Sequence, residues 1–203
     1  MIVYNLTPGG YASNCYVVVS EDQKESLLVD PSMSPARFSE VCPDVPMPTR
    51  ILITHAHFDH IYAVPKWYAL GATVYLNAKE VIFLDDPLLN CSEFIYESYV
   101  FDVKTTSIAE GDVIPIGEEE LVVMETPGHT RGSCCFYGGG VIFTGDTLFA
   151  GGSIGRTDLP TGTYPEMRQS VKRLLTLPRE TIVYPGHMQP TTIAQELKAH
   201  CYE

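Results

Sequence analysis

The sequence predicts a layered α/β fold in which strands outnumber helices. Three observations predict it. Short runs rich in Val, Ile and Tyr recur along the 203 residues, helical segments fall between groups of these runs, and no linker, repeat or low-complexity segment interrupts them. A chain of this length can bury one sizeable core. We therefore expect residues 1–203 to form a single α/β domain.

The first half of the chain alternates predicted strands with short helices. Ser34 and Pro35 predict the start of a helix, and Gly71 predicts the end of another, inside which Pro65 predicts a kink. Residues 85–101 are aromatic and have two interpretations, a segment that caps the sheet or one wall of a substrate cleft. The predicted strands are 2–6, 14–19, 26–30, 50–54 and 73–76, and the predicted helices are 34–42, 61–70 and 78–84.

The second half predicts a series of strands followed by helices. Gly111, Gly117 and the glycines at 138–140 mark the turns between strands. Thr163 and Glu166 stand three residues apart, a spacing typical of a capping box at a helix start. The predicted strands are 112–116, 119–126, 133–137, 140–144 and 181–184, and the predicted helices are 165–177 and 191–200.

The composition limits the kinds of partner that this protein is expected to bind. Twenty-five acidic residues against 13 basic ones give a formal net charge of −12. Nucleic-acid backbones and anionic membranes both attract Lys and Arg, so we expect neither as a partner. The N-terminus shows no basic segment followed by an apolar one, and no apolar run approaches the ~20 residues that cross a bilayer. These features are compatible with a monomer or an oligomer acting on a small molecule.

The six cysteines predict reduced thiols rather than a disulfide framework. They form no CxxC pair and no regular spacing. Cys134 and Cys135 are adjacent, so on a strand their side chains point to opposite faces and are poorly placed to pair. We interpret the cysteines as small apolar side chains, which predicts a cytoplasmic protein.

A histidine-rich segment at residues 55–60, His-Ala-His-Phe-Asp-His, directly follows an apolar predicted strand. Imidazole and carboxylate groups are ligands that borderline divalent metals prefer. His129 and His187 each stand in a Pro-Gly-His turn after a strand, and Asp30 and Asp146 also follow strands. Strand ends that share one edge of a sheet converge on one cleft. We therefore expect one site with six or seven ligands, enough for two metals.

These motifs together resemble the metallo-β-lactamase superfamily. The resemblance rests on HAHFDH, Gly145-Asp146 and the Pro-Gly-His turns at 127–129 and 185–187, and it covers nearly the whole chain. It implies a four-layer αβ/βα sandwich for a metallo-β-lactamase-like hydrolase domain. In the roles it implies, His55, His57 and His129 bind one metal, Asp59, His60 and His187 bind the other, Asp146 bridges them, and Asp30 supports the histidine loop from behind.

The resemblance also implies a mechanism. Two divalent ions that share a water lower its pKa from ~16 towards 7, and the bridging hydroxide then attacks a carbonyl carbon. A thioester suits such a site because a thiolate leaves readily. Asp59 would have a second, catalytic role by orienting the hydroxide. Zn²⁺ is the expected ion, and iron and manganese also accept this ligand set.

The segment 145–158 resembles the hydroxyacylglutathione hydrolase (glyoxalase II) group, and the length of the chain resembles its short members. It carries Gly-Asp-Thr-Leu-Phe, a glycine-rich loop and then Gly155-Arg156. The resemblance implies that Arg156 binds a glutathione carboxylate, since a guanidinium can form two parallel hydrogen bonds with a carboxylate. The alternative is a structural ion pair between Arg156 and an acid such as Asp158.

Two other functions remain open at this point. The Gly-Arg-Thr-Asp loop at 155–158 also resembles persulfide dioxygenases, which would bind a single iron through His55, His129 and Asp146 and oxidise glutathione persulfide. The second is a module that binds metal but catalyses no reaction. Iron content together with O₂ uptake distinguishes the dioxygenase, and metal without turnover of any acyl thioester distinguishes the binding module.

Overall fold

Two six-stranded sheets form the fold in a computed structural model that describes residues 1–7 and 13–200. The first sheet comes from the first half of the chain and the second sheet from the second half. In spatial order, the first contains β1 (Ile2–Asn5), β2 (Tyr16–Val19), β3 (Ser26–Val29), β4 (Arg50–Leu52), β5 (Thr73–Asn77) and β6 (Thr105–Ile108). The second contains β12 (Thr191–Thr192), β11 (Ile182–Pro185), β10 (Val141–Gly145), β9 (Cys134–Gly138), β8 (Glu119–Glu125) and β7 (Val113–Ile116).

Short helices lie between the strands. They are α1 (Pro35–Val41), α2 (Phe58–Ile61), α3 (Val64–Tyr68), α4 (Tyr164–Leu174), α5 (Ile193–Ala199) and two 3₁₀ helices at Ala78–Leu84 and Ser92–Ile95. Ser34 caps α1 by accepting a hydrogen bond from the backbone N–H of Arg37, as the sequence predicted. In the part of the chain that the structure describes, no helix is long and apolar enough to cross a bilayer.

The core is divided into three layers of buried side chains, which confirms the four-layer αβ/βα sandwich. The central layer lies between the two sheets and includes Val18 and Phe143. Val17, one residue from Val18, faces the other way and packs with Trp67 of α3. Beyond the second sheet, Met167 of α4 packs in the third layer. Side chains of a strand alternate between faces, so each sheet contributes to two layers.

Parallel pairing determines where the polar strand ends meet. In the first sheet β3, β4, β5 and β6 pair in parallel, and in the second sheet β10 and β11 do. The carboxyl ends of parallel neighbours lie at the same edge. The loops after β3 and β4 therefore meet at one edge of the first sheet, and those after β10 and β11 meet at one edge of the second. These loops carry the polar residues identified from the sequence except His129, which follows β8.

Several local predictions were wrong or incomplete. The predicted helix 61–70 is instead two short helices, α2 and α3, separated at residues 62–63, with Pro65 in the first turn of α3. Strand β6 was not predicted. The capping box is also wrong, because the Thr163 hydroxyl donates to the Glu166 carboxylate and caps no backbone N–H.

The prediction for the adjacent cysteines is confirmed. Cys134 lies in the layer between the sheets, and Cys135 lies in the layer beneath α4. All five cysteines that the structure describes are free thiols, and Cys201 lies outside the described residues.

Candidate metal centre

The structure brings the predicted ligands together at one edge of the two sheets. His55 and His57 lie in the loop after β4, and α2 contributes Asp59 and His60. The second sheet contributes His129 after β8, Asp146 after β10 and His187 after β11. Three groups have ligand atoms that all lie within 4.8 Å of one another: His55–His57–His129, His55–His60–Asp146 and Asp59–His60–His187. We call the first and third of these groups the first and second ligand sets.

Asp146 lies between the two ligand sets. Its Oδ2 is 3.5 Å from Nε2 of His129 in the first set and 3.6 Å from Nε2 of His187 in the second. Its Oδ1 is 3.3 Å from Nε2 of His60. A carboxylate in this position can offer one oxygen to each of two cations.

Hydrogen bonds at the outer edge of three histidines determine which ring nitrogen is protonated. The carbonyl oxygen of Arg156 only accepts, so Nδ1 of His129, at 2.7 Å, must donate. Nδ1 of His60 donates to Asp30 at 2.9 Å. The hydroxyl of Thr54 donates to Asp30 and so accepts from Nδ1 of His55. The Nε2 lone pairs of all three rings therefore point into the cluster, the arrangement that metal-binding histidines show.

The cluster fits a divalent cation better than a set of hydrogen bonds. Nδ1 of His57 lies 3.1 Å from Nε2 of His55 and 2.9 Å from Nε2 of His129, and one proton cannot serve both lone pairs. Nε2 of His60 and Oδ1 of Asp146 are buried 3.3 Å apart without the geometry of a hydrogen bond, and neither has a hydrogen-bond partner among the described residues. Ligand atoms bound tetrahedrally at ~2.0–2.1 Å stand about 3.3 Å apart, close to the separations seen here.

Burial and mutual proximity set the charges of these groups. Burial lowers the pKa of His55 well below its usual value, and burial followed by the neighbouring His129 lowers the pKa of His57 to about 3. Burial alone would raise the pKa of Asp146, but the adjacent histidines hold it well below the ordinary value. Two neutral imidazoles and an ionised carboxylate are the protonation states that metal binding requires.

His60 has the opposite shift. Burial lowers its pKa, but Asp59, Asp30 and Asp146 outweigh burial and raise the pKa well above the usual value. A proton and a cation therefore compete for its Nε2.

Asp30 is placed behind the cluster. Its carboxylate accepts from the backbone N–H of Thr54 at 2.8 Å, from the Thr54 hydroxyl at 2.7 Å and from His60. Its backbone lies in the left-handed region at φ 51°, which is unfavourable for most side chains but tolerated by Asp. The strain is consistent with a residue held in place by its three hydrogen bonds.

Glycine is needed where the two sheets approach the cluster. A Cβ on Gly186 would lie 2.3 Å from Oδ1 of Asp146 and 2.7 Å from the His60 ring. Gly145 has φ +47°, and a Cβ there would lie 2.4 Å from the Thr54 hydroxyl. Gly145 adopts a left-handed conformation, whereas Gly186, in the predicted Pro-Gly-His turn, is required by the close approach of neighbouring atoms.

A cavity of about 590 Å³ opens onto the cluster. The cluster side of the cavity is formed by His57, Asp59, His129 and Asp146. The opposite wall is apolar and includes Phe94 and Ile95 of the Ser92–Ile95 3₁₀ helix, together with Leu159 and Pro160. Both interpretations of residues 85–101 therefore hold in part. Phe94 and Ile95 line the cavity, whereas Phe101 packs into the core between the first sheet and its helices.

Arg156 lies at the rim of this cavity, but it is already paired. Its Nε and one terminal nitrogen each donate to Asp158 at 2.8 Å, which is the structural alternative that the sequence left open. Both side chains are exposed, at 63% and 69%, so the pair is accessible to solvent and to a ligand. Solvent screens an exposed pair of this kind and makes it weak, which leaves Arg156 available to another carboxylate.

Three residues that support the cluster were missed in the sequence. The buried carboxylate of Glu80 accepts from the backbone N–H of Ala56 and of Gly132. The side chain of Asn14 donates to the carbonyls of Pro185 and Met188, on either side of His187. Glu196 accepts from the N–H groups at 151 and 152 in the glycine-rich loop. None has a sequence signal, since each looks like an ordinary surface polar residue.

A family model described as the metallo-β-lactamase superfamily matches residues 8–187. The chain belongs to the metallo-β-lactamase superfamily. Because this is a superfamily of metallo-hydrolases, membership supports the view that the protein is an enzyme. Together with the His/Asp cluster, it indicates that the protein binds divalent metal ions.

Two curated relatives in this superfamily carry names that mention hydrolysis. A probable metallo-hydrolase of Bacillus subtilis (strain 168) is 36% identical, over 93% of this chain and 90% of the relative. A hydroxyacylglutathione hydrolase of Fuscovulum blasticum is 41% identical over 68% of this chain, which corresponds to 48% of that relative. The latter supports the glyoxalase II-like link that the sequence predicted.

Two solved structures have the same metallo-β-lactamase fold over nearly their whole length. The BLEG-1 B3 metallo-β-lactamase superposes with a TM-score of 0.89 and 34% identity, covering 97% of both chains. TTHA1623 in a di-iron-bound form superposes with a TM-score of 0.85 and 32% identity, covering 98% of this chain and 100% of that one. Two irons are thus bound by a protein to which this chain is similar.

Proposed function

We propose that this protein is a two-metal hydrolase of acyl thioesters with a glutathione-like thiol, and that its resident ions are Zn²⁺. The observation that carries the proposal is the pair of ligand sets with Asp146 between them, open to a cavity. His55, His57 and His129 would hold one ion, and Asp59, His60 and His187 the other. A single-ion protein would need only three of these seven ligand side chains.

When bound, the ions supply a water of lowered pKa and polarise the thioester carbonyl. The residues of the protein position the attacking water. Oδ2 of Asp59 lies 3.2 Å from Nε2 of His187 and 3.6 Å from Nε2 of His60, and Asp59 also lines the cavity. Its carboxylate can accept a hydrogen bond from the attacking water and orient it toward the carbonyl carbon. The thiolate then leaves without needing a proton from the protein.

Two kinds of lining residue suit the two parts of such a substrate. Phe94, Ile95 and Leu159 offer apolar surface to the carbon skeleton next to the thioester. Arg156, which also lines the cavity, offers a guanidinium to a carboxylate of the thiol part. The scissile bond would then lie above the cluster.

The test is metal analysis combined with a substrate panel. Protein purified without added metal should contain about two zinc ions per chain and cleave S-lactoylglutathione and a neutral acyl thioester. The panel should also include a β-lactam and glutathione persulfide with O₂. One iron per chain, with O₂ uptake and no thioester cleavage, would contradict this proposal and support a persulfide dioxygenase, which would bind its iron through His55, His129 and Asp146 only. Bound metal without turnover of any substrate would instead support a protein that binds metal and catalyses no reaction.

The Arg156–Asp158 pair allows a test of thiol recognition in both directions. Arg156→Ala should raise KM for a glutathione thioester roughly 10-fold and change KM for a neutral thioester less than about 2-fold. Asp158→Asn removes the competing carboxylate and should lower KM for the glutathione thioester, because the guanidinium is released to the substrate.

The control is Arg168→Ala, an exposed arginine of α4 outside the cavity that opens onto the cluster. Steady-state kinetics on both substrates provides the measurement. Equal changes of KM on the charged and the neutral thioester would mean that Arg156 serves only to hold its own loop.

A further inference from the structure

Glu80 is a fully buried carboxylate that connects two loops of the candidate metal centre. It lies in the Ala78–Leu84 3₁₀ helix and has 0% of its surface exposed. Oε2 accepts from the backbone N–H of Ala56 at 2.9 Å, and Oε1 accepts from the backbone N–H of Gly132 at 2.9 Å. Each oxygen thus binds a different loop. Two charge-assisted hydrogen bonds of this kind fix both loops relative to one carboxylate.

The two loops carry the first ligand set. Ala56 is the residue between His55 and His57, and Gly132 follows His129 by three positions. The described contacts of the Glu80 side chain therefore reach the loops of His55, His57 and His129, and none of them reaches α2 or the His187 loop.

The approach of Glu80 depends on a glycine. A Cβ on Gly132 would lie 2.7 Å from both Cγ and Oε1 of Glu80. Any larger residue at position 132 would push the carboxylate away from the loops.

The second ligand set has a different support. Asp30 accepts from Nδ1 of His60 in the second set, and through the Thr54 hydroxyl it also holds Nδ1 of His55 in the first set. Glu80 thus supports the peptides of the first set, whereas Asp30 reaches one ring in each set.

We propose that Glu80 is a positioning residue that controls the affinity of the first metal position, and that its loss weakens the first position without weakening the second. The proposal rests on the two-metal function proposed above. Glu80 contacts no candidate ligand atom. It acts through the peptide N–H between His55 and His57 and through the turn after His129, so its loss changes the spacing of three lone pairs.

The isosteric variant Glu80→Gln separates this role from simple packing. A glutamine side chain fills the same space, but its amide nitrogen must face one of the two backbone N–H groups and cannot accept from it. One loop is then released while the other stays bound. Loss of a supporting partner behind metal ligands typically lowers metal affinity 10–100-fold.

The experiment measures zinc affinity by competition with a chromophoric chelator in two backgrounds. His187→Ala removes a ligand of the second set, and His57→Ala removes a ligand of the first. Adding Glu80→Gln to His187→Ala should weaken the remaining zinc roughly 10–100-fold. Adding it to His57→Ala should change the remaining zinc affinity less than about 3-fold, because Glu80 does not touch that set. Asp30→Asn should weaken zinc in both backgrounds, because Asp30 contacts His60 directly and His55 through Thr54.

Glu118→Gln, an exposed glutamate in the turn before β8, is the matched control and should leave both affinities unchanged. Equal weakening by Glu80→Gln in both backgrounds, or in neither, would overturn the proposal. Should Glu80→Gln fail to fold, Gly132→Ala displaces the same carboxylate and must give the same selective loss. Zinc binding by neither background, with thioester turnover intact in the unmodified protein, would overturn the separate positions while leaving the hydrolase activity standing.

Discussion

Asp146→Ala should abolish thioester hydrolysis, with a fall in kcat/KM of at least ~10³-fold, which corresponds to about 4 kcal/mol of lost transition-state stabilisation. The reason is the position of this carboxylate between the two ligand sets, within 3.3–3.6 Å of Nε2 of His60 and His187. Without it, Asp59 is the one carboxylate left among the candidate ligands of the second set, and zinc content should fall from about two to about one per chain. Metal analysis and steady-state kinetics on S-lactoylglutathione measure both effects.

Asp44→Ala is the control for Asp146→Ala, since Asp44 is an exposed aspartate in the loop before β4. It should retain both zinc ions and full turnover. Unchanged turnover of Asp146→Ala with two ions still bound would contradict the bridging position of Asp146.

Removal of metal should eliminate turnover and also lower the thermal stability. The folded chain gathers seven ligand side chains that the unfolded chain does not hold together, so metal binds mainly the folded state. A ligand present at ~100 times its Kd stabilises the folded state by about 2.7 kcal/mol. For a chain of this size that corresponds to a Tm roughly 5–10 °C higher. Dialysis against a chelator, followed by calorimetry and a thioester assay, measures the two losses.

Added Zn²⁺ should restore both Tm and turnover. Mg²⁺ at the same concentration should restore neither, because it prefers oxygen ligands in octahedral geometry and the first ligand set is three imidazoles. Full activity in protein shown to contain no metal would refute the two-metal mechanism.

Much of the fold follows from patterns within single segments. Alternation on β2 and β9 is a local property, so the opposite faces of Cys134 and Cys135 could be predicted from their adjacency alone. Strand β6 was missed because residues 105–108, Thr-Thr-Ser-Ile, carry only one strongly apolar side chain. This strand is at the edge of the first sheet and forms through pairing with β5, a contact that no local pattern records.

The candidate ligands could be predicted because their chemistry and their position at strand ends both appear in the sequence. The residues that hold these ligands in place could not be predicted. Glu80 stands between Lys79 and Val81, in a segment that resembles an exposed helix. Its burial arises from two loops 24 and 52 residues away in the chain. Asn14 reaches carbonyls more than 170 residues away. Such contacts exist only after both sheets have assembled.

The division of the ligands between the two sheets has a consequence for unfolding. The segment 55–60 belongs to the half of the chain that builds the first sheet, and His129, Asp146 and His187 belong to the half that builds the second. Cations held between them would cross-link two halves that otherwise meet through side chains packed between the sheets and through hydrogen bonds such as those of Asn14 and Glu80. Opening of one half would then require release of metal, so bound zinc would slow unfolding of both halves together and protect their amides from hydrogen exchange as one cooperative unit.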